Sequence, residues 1–133
     1  MVGGCVSAPP EPGQRVAAPG DCLRKVQIDE LDAALQRCNA VVTALPDDPQ
    51  PRNDRSLLYS LTGNNAAACR DSFKAAELLE QQRKAHRSDP KQGPPPDRVL
   101  ADEISLRQRS CERLTNRPAA AAPSPVTPAA PKP

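Results

Sequence analysis

The sequence predicts an all-α protein of about four helices. Apolar residues recur at helical spacing in the middle of the chain, and proline-rich segments separate the periodic stretches. Leu, Ile, Val and Phe make up only 23 of the 133 residues, and 19 of those 23 fall between Asp21 and Thr115. We therefore predict a flexible tether over residues 1–20, an α-helical domain over residues 21–117 and a disordered Pro/Ala-rich tail over residues 118–133.

The first helical segment carries a stripe of apolar side chains that repeats every three or four residues. Its members are Ile28, Leu31, Leu35, Cys38, Val42 and Leu45. Asp21 is a candidate N-cap, and Asp29 is a candidate second cap after a break near Gln27. The prolines between Pro46 and Pro51 predict the end of this helix, because proline has no amide donor and restricts the residue before it.

Two further helices are predicted before the internal linker. The second begins at a cap formed by Asn53 or Asp54, and Gly63 predicts its end because glycine adopts the left-handed conformation that terminates helices. Its leucines are Leu57, Leu58 and Leu61. The third helix runs from Ala66 to Arg83. Its packing residues are Cys69, Phe73, Ala76, Leu78 and Leu79.

A polar, proline-rich linker over residues 88–96 precedes the fourth helix. Asp97 is the predicted N-cap of this helix. Its stripe consists of Leu100, Ile104, Cys111 and Leu114, with Val99 and Leu106 at the sides.

Composition argues against several classes of function. The formal net charge is only +2, and one Tyr, one Phe and no Trp leave no stacking platform for bases, so we expect no nucleic-acid partner. No stretch of about 18 apolar residues occurs in the sequence, so we expect no membrane-spanning helix.

Catalysis has little support in the sequence, and we predict that the chain is not an enzyme and needs no cofactor. His86 is the only histidine, and its place near a helix end predicts a solvated surface role. The carboxylates have structural explanations: Glu77 and Glu80 have cations at the spacing of helical ion pairs. No CxxC pair is present, so no metal site is expected.

The residues around Cys5 resemble the lipobox of bacterial lipoproteins. Small residues, Gly3 and Gly4, precede the cysteine, and a Pro/Ala/Gly stretch follows it. The resemblance implies lipidation of Cys5, and Val6 in the next position implies outer-membrane retention on the periplasmic side. No charged and apolar signal segments precede Cys5 here, so either the signal was removed and a Met restored, or translation begins upstream of Met1.

Without Cys5, an even number of cysteines remains, which in an exported protein predicts two disulfides. If the third and fourth helices are antiparallel, Cys69 and Cys111 lie at similar heights and can be bridged. Cys22 and Cys38 are then left to pair, and their bridge requires the chain to bend back near residues 26–29. The alternative is four reduced thiols buried in a cytosolic domain.

The middle of the chain also resembles the tetratricopeptide repeat. In that family, small and large residues alternate along the second helix of each hairpin, and a proline often closes it. Ala34, Cys38 and Val41 precede Pro46 in this pattern, and a similar trio follows 35 residues later. That second trio is Cys69, Phe73 and Ala76. A small four-helix bundle is the alternative architecture.

The two resemblances together imply a lipid-anchored interaction or assembly subunit. Its partner would be a protein in a larger outer-membrane or periplasmic complex, and the lipid would supply its membrane contact. Two alternatives remain: a passive structural component that uses the Pro/Ala tail, and a cytosolic helical adaptor in which the context of Cys5 is accidental.

Overall fold

The computed structural model describes residues 16–93 and 95–115, and helices account for most of them. The α-helices are α1 (Leu31–Ala44), α2 (Pro49–Leu61), α3 (Asn65–Ser88) and α4 (Arg98–Thr115). Two short 3-10 turns, Asp21–Leu23 and Ile28–Glu30, precede α1. No β-strand occurs in the described part of the chain, and the predicted all-α class is confirmed.

Several sequence predictions concern parts of the chain outside the described residues. These parts are Cys5, all but the last five residues of the predicted tether, and the whole predicted tail over 118–133. The predictions made for them stay predictions.

The four helices pack in chain order. α1 packs on α2, α2 packs on α3, and α3 packs on α4, while α2 and α4 meet over a smaller area. The turn at Asp21–Leu23 packs on α1 and on the side of α2. Within the described residues α1 contacts neither α3 nor α4, so the helices form an open stack and not a closed bundle.

Two apolar cores lie at the two ends of this stack. The first surrounds α1, and its buried members are Cys22, Ala34, Cys38, Val41, Val42 and Leu58. The second lies between α3 and α4, and its buried members are Ala75, Leu79 and Ile104. Neither core is large, because most of the side chains that α2 buries between them are not aliphatic.

The start of α2 differs from the prediction. The helix begins at Pro49, and the carboxylate of Asp48 caps it by accepting a hydrogen bond from the Gln50 amide at 2.9 Å. Proline is tolerated in the first turn because the amides there have no partner within the helix. Asn53 and Asp54 are therefore buried positions inside α2, and the prediction that they cap it was wrong.

The other helix boundaries follow the predicted signals more closely. Gly63 ends α2 in the left-handed conformation (φ 82°), as predicted. Asn64 caps α3 by accepting from the Ala67 amide, and α3 continues past the predicted Arg83. Asp97 caps α4, where its carboxylate accepts from the amides of Val99 and Leu100.

Four apolar residues predicted to pack are instead exposed, and one of them is Phe73 of α3. Ile28 is 81% exposed because it lies in a 3-10 turn ahead of α1, and Val26 packs against the first core in its place. Leu61 is exposed at the last residue of α2. Leu114 is exposed because it lies almost one turn beyond the level at which α4 is bridged to α3.

Asp21 also has a different role from the predicted N-cap. It is the first residue of its 3-10 turn, and its carboxylate accepts a hydrogen bond from the Ala18 amide at 2.8 Å. The chain then reverses over Arg24–Gln27 before α1 begins, close to the predicted break.

Both predicted disulfides are present in the structure. Cys22 is bridged to Cys38 with their Cα atoms 4.4 Å apart, and Cys69 is bridged to Cys111 with a Cα separation of 5.6 Å. The first bridge holds the N-terminal turn on α1, and the second ties the start of α3 to the end of α4. Each apolar core therefore has a covalent link beside it.

We expect both disulfides to be needed for stability. Cys22→Ser/Cys38→Ser and Cys69→Ser/Cys111→Ser should each lower the free energy of unfolding by about 2–4 kcal/mol, because each removes a constraint on the unfolded chain. Chemical denaturation measures the loss, and Cys5→Ser is the matched control because Cys5 belongs to neither bridge. A Cys38–Cys69 peptide in a non-reducing digest would contradict both assignments.

Candidate functional site

A polar interface joins α1, α2 and α3. The guanidinium of Arg55 donates to both carboxylate oxygens of Asp71, at 2.6 and 2.8 Å, and to the side-chain oxygen of Asn39 at 3.1 Å. The Cζ atom of Arg55 lies 5.7 Å from the ring centroid of Tyr59. The hydrogen bonds to Asp71 raise the pKa of Arg55 above its usual value. Such a bidentate Arg–carboxylate pair fixes both the distance and the orientation between α2 and α3.

Two serines extend this interface. The hydroxyls of Ser56 and Ser72 lie 2.7 Å apart, and both are within hydrogen-bond distance of the Ala68 carbonyl. Both side chains are almost fully buried. Sequence reasoning missed this interface because it looked for apolar stripes. The available signal was Ser72, which shares a helix face with Ala68, Ala75 and Leu79.

A second polar cluster lies where α2 meets α4. Asn53 donates to the Glu103 carboxylate at 3.0 Å, and Asp54 lies beside it on α2. The pKa of Asp54 is raised to about 6, mainly because the carboxyl is buried and secondly because the negative charge of Glu103 repels its ionised form. The positive charge of Arg107 acts in the opposite direction and lowers this pKa. The Nε of Arg107 is buried without a hydrogen-bond partner among the described residues.

A groove between α3 and α4, with a volume of about 560 Å³, is a candidate surface for a partner. We call it the α3–α4 groove. Its apolar lining is Phe73, Ala76, Leu79, Ala101 and Ile104. Phe73 is the only phenylalanine of the chain and remains 38% exposed. An exposed aromatic side chain over a floor of small residues can receive an apolar side chain from another molecule.

The rim of the α3–α4 groove is mainly acidic. Glu77 pairs with Lys74 at 3.2 Å, and this pair has the predicted helical spacing. Glu80 pairs with Arg83 at 3.9 Å, also at helical spacing, and with Arg87 at 3.3 Å. Arg83 and Asp102 complete the rim, and no cation of the described residues lies within 4.0 Å of Asp102. The groove therefore suits an apolar group that is accompanied by a basic one.

The two trios that resemble tetratricopeptide residues have different surroundings. Ala34, Cys38 and Val41 are all buried in the first core. In the second trio, Phe73 and Ala76 line the groove, and Cys69 is bridged to α4. The first trio is therefore fully buried, whereas in the second trio Phe73 is exposed beside two residues that contact α4 or its core.

The histidine singled out in the sequence lies at the C-terminal end of α3. His86 is half-buried in the last turn of α3, and its Nδ1 lies 3.3 Å from the Gly93 carbonyl, so it is less solvated than predicted. Among the described residues no three His, Cys, Asp or Glu side chains are grouped to hold a metal ion. No helix of this part is long and apolar enough to cross a membrane.

No model of a known protein family, no curated protein and no solved structure matches this chain. The lipoprotein and tetratricopeptide resemblances therefore stay predictions.

Asp54 should make stability depend on pH. Its pKa in the folded protein, about 6, lies above the ordinary 3.8, so the folded state takes up a proton that the unfolded state does not. The free energy of unfolding should then rise as the pH falls from about 6 to about 4. Asp54→Asn should remove this rise and stabilise the protein at pH 7 by roughly 1–3 kcal/mol, because it removes a buried charge.

Denaturant titrations at a series of pH values measure this effect. Asp102→Asn is the matched control, since it removes an exposed carboxylate from α4, and its pH profile should follow that of the wild type. Identical profiles for the wild type and Asp54→Asn would contradict the role of Asp54.

Proposed function

We propose that this protein is a non-enzymatic envelope lipoprotein, acylated at Cys5 and held on the periplasmic side of the outer membrane, which acts as an interaction or assembly subunit of a larger complex. The observation that carries this proposal is Gly3-Gly4-Cys5 followed by a Pro/Ala/Gly stretch. A proline-rich segment is extended and suits a spacer between a lipid anchor and a folded domain.

The two disulfides support an exported location. Structural disulfides persist in oxidising compartments such as the bacterial periplasm and are rare in the cytosol. A domain with two small apolar cores also gains more from such links than a domain with one large core. Cysteine pairing and the lipobox-like segment thus favour the same compartment by independent arguments.

The α3–α4 groove supports a role in binding a protein partner. It combines an exposed Phe73 with Asp102, whose carboxylate has no cation within 4.0 Å among the described residues, so it fits an apolar side chain that has Lys or Arg beside it. Aromatic anchors in pockets supply much of the binding energy of protein interfaces. We propose that the partner docks at this groove while the lipid holds the protein at the membrane.

The anchor can be tested by metabolic labelling. Expressed from its own gene, with the sequence that precedes Met1, the protein should incorporate an alkyne-tagged fatty acid and fractionate with outer membranes. Cys5→Ser should abolish labelling because it removes the acylated thiol. Gly4→Asp should also abolish it, since the thiol remains but the small residue before it is lost.

Ser7→Ala is the control for this experiment, because it changes the tether and leaves the lipobox-like residues intact. Its labelling should equal that of the wild type. Soluble, unlabelled wild-type protein with an unmodified Cys5 would contradict the anchor.

Docking at the groove can be tested by site-specific photo-crosslinking in intact cells. A photoreactive amino acid in place of Gln108, which lines the groove, should give one adduct of constant mass. Phe73→Glu should reduce the yield of this adduct by roughly tenfold or more, because an apolar contact is replaced by a charge. The photoreactive group at Gln36, which is exposed on α1, should not give the adduct.

Leu61→Glu is the matched control, since it places the same charge at another exposed leucine outside the groove. It should leave the adduct unchanged. If deletion of residues 118–133 abolishes the adduct while Phe73→Glu does not, the tail and not the groove recognises the partner.

A further inference from the structure

A second cavity lies at the other end of the helix stack, between the N-terminal turn and α1. We propose that this cavity binds an amphipathic anion, meaning a phosphate or carboxylate group attached to an apolar chain. It shares no lining residue with the α3–α4 groove, and α1 does not contact α4 in the described part of the chain. The inference concerns a different ligand and does not depend on an acyl anchor at Cys5.

The floor of the cavity is apolar and built from small side chains. It is formed by Ala17, Ala40, Val41 and Ala44. The volume of about 900 Å³ is large enough for a ligand of ordinary metabolite or lipid-headgroup size. Because no large side chain fills this space, it can accept a short hydrocarbon chain lying along α1.

The rim of the cavity is positively charged. Arg24, Lys25 and Arg37 line it together with one carboxylate, Asp21. Asp21 is already engaged, because it accepts from the Ala18 amide and lies 3.8 Å from Arg24. Neither Lys25 nor Arg37 has a carboxylate of the described residues within 4.0 Å. Two cations beside an apolar floor are thus available for an anion.

The rim is also held in place before any ligand binds. The Cys22–Cys38 bridge fixes the turn that carries Arg24 and Lys25 against α1, which carries Arg37. Lys25 is the only non-glycine residue in the described segments with a positive φ (51°). This conformation lets Val26 pack in the first core while Lys25 lines the cavity. Because the backbone that carries these cations is fixed, binding an anion orders only their side chains.

The cations of the rim and the apolar floor together determine which class of ligand the cavity can bind. A guanidinium can donate two parallel hydrogen bonds to a phosphate or a carboxylate, and an ammonium adds a point charge. The apolar floor then favours ligands whose anionic group carries a hydrocarbon chain over the bare anion. An anionic lipid headgroup and a free alkyl phosphate both meet this description.

Octyl phosphate is a suitable probe, and the full chain with both disulfides is the protein to use. Calorimetry should find one site with a dissociation constant below about 1 mM, and inorganic phosphate should bind roughly tenfold or more weakly because it buries no apolar surface. Arg37→Gln should weaken octyl phosphate binding roughly tenfold, because it removes a rim cation. Ala40→Glu should abolish binding by placing a carboxylate over the floor.

Arg109→Gln is the matched control, since it removes an exposed cation from α4, far from the cavity in the stack, and it should bind like the wild type. Circular dichroism verifies that the variants keep their helices. Vesicles containing phosphatidylglycerol distinguish the two sources of ligand. Sedimentation of the wild type, but not of Arg37→Gln, with these vesicles identifies a lipid headgroup, and octyl phosphate binding without sedimentation identifies a free amphiphile.

Two results would overturn the proposal. One is the absence of octyl phosphate binding at about 10 mM, a concentration at which even a weak specific site would be filled. The other is equal binding by the wild type, Arg37→Gln and Ala40→Glu. Both readouts use unacylated protein, so a failure of the proposed anchor at Cys5 would not affect them.

Discussion

The pair formed by Arg55 and Asp71 is the interaction on which the arrangement of the helices depends. α2 lies between α1 and α3 but buries few aliphatic side chains, so apolar contact alone does not determine how these helices face each other. Arg55 bonds to Asn39 on one side and to Asp71 on the other, and the hydroxyls of Ser56 and Ser72, the next residue on each helix, add a second contact between α2 and α3. A buried polar network of this kind specifies orientation, because a shifted helix would leave its groups without partners.

The polar interface at the centre of the helix stack explains why a disulfide lies near each end. With a polar middle layer, the apolar side chains are divided between two small cores, one around α1 and one between α3 and α4. Each core alone buries little surface, and a covalent bridge beside it reduces the entropy of the unfolded chain. The covalent and polar constraints therefore act on different parts of the same stack.

An open stack leaves two different surfaces available. The α3–α4 groove has a mainly polar lining with more acidic than basic side chains around the exposed Phe73, whereas the cavity on α1 has a mainly apolar floor with a basic rim. A closed bundle would have covered α1 with α4 and removed much of this surface. The proposed partner and the proposed amphipathic anion thus occupy opposite ends of the fold, and each end is stiffened by its own disulfide.

The sequence by itself determined the helical class and the caps at Asp97 and Gly63, because these depend on local spacing and on turn chemistry. The two cysteine pairs were predicted only on the condition that α3 and α4 are antiparallel, and helix packing decides that condition. The predicted start of α2 was wrong, because proline can either end a helix or occupy its first turn. Which of the two occurs depends on how the neighbouring helices pack. Only the tertiary structure decided that Asn53 and Asp54 are buried and that Phe73 borders a groove. Burial of a polar residue depends on the partner that another helix brings to it, and no local pattern contains that partner.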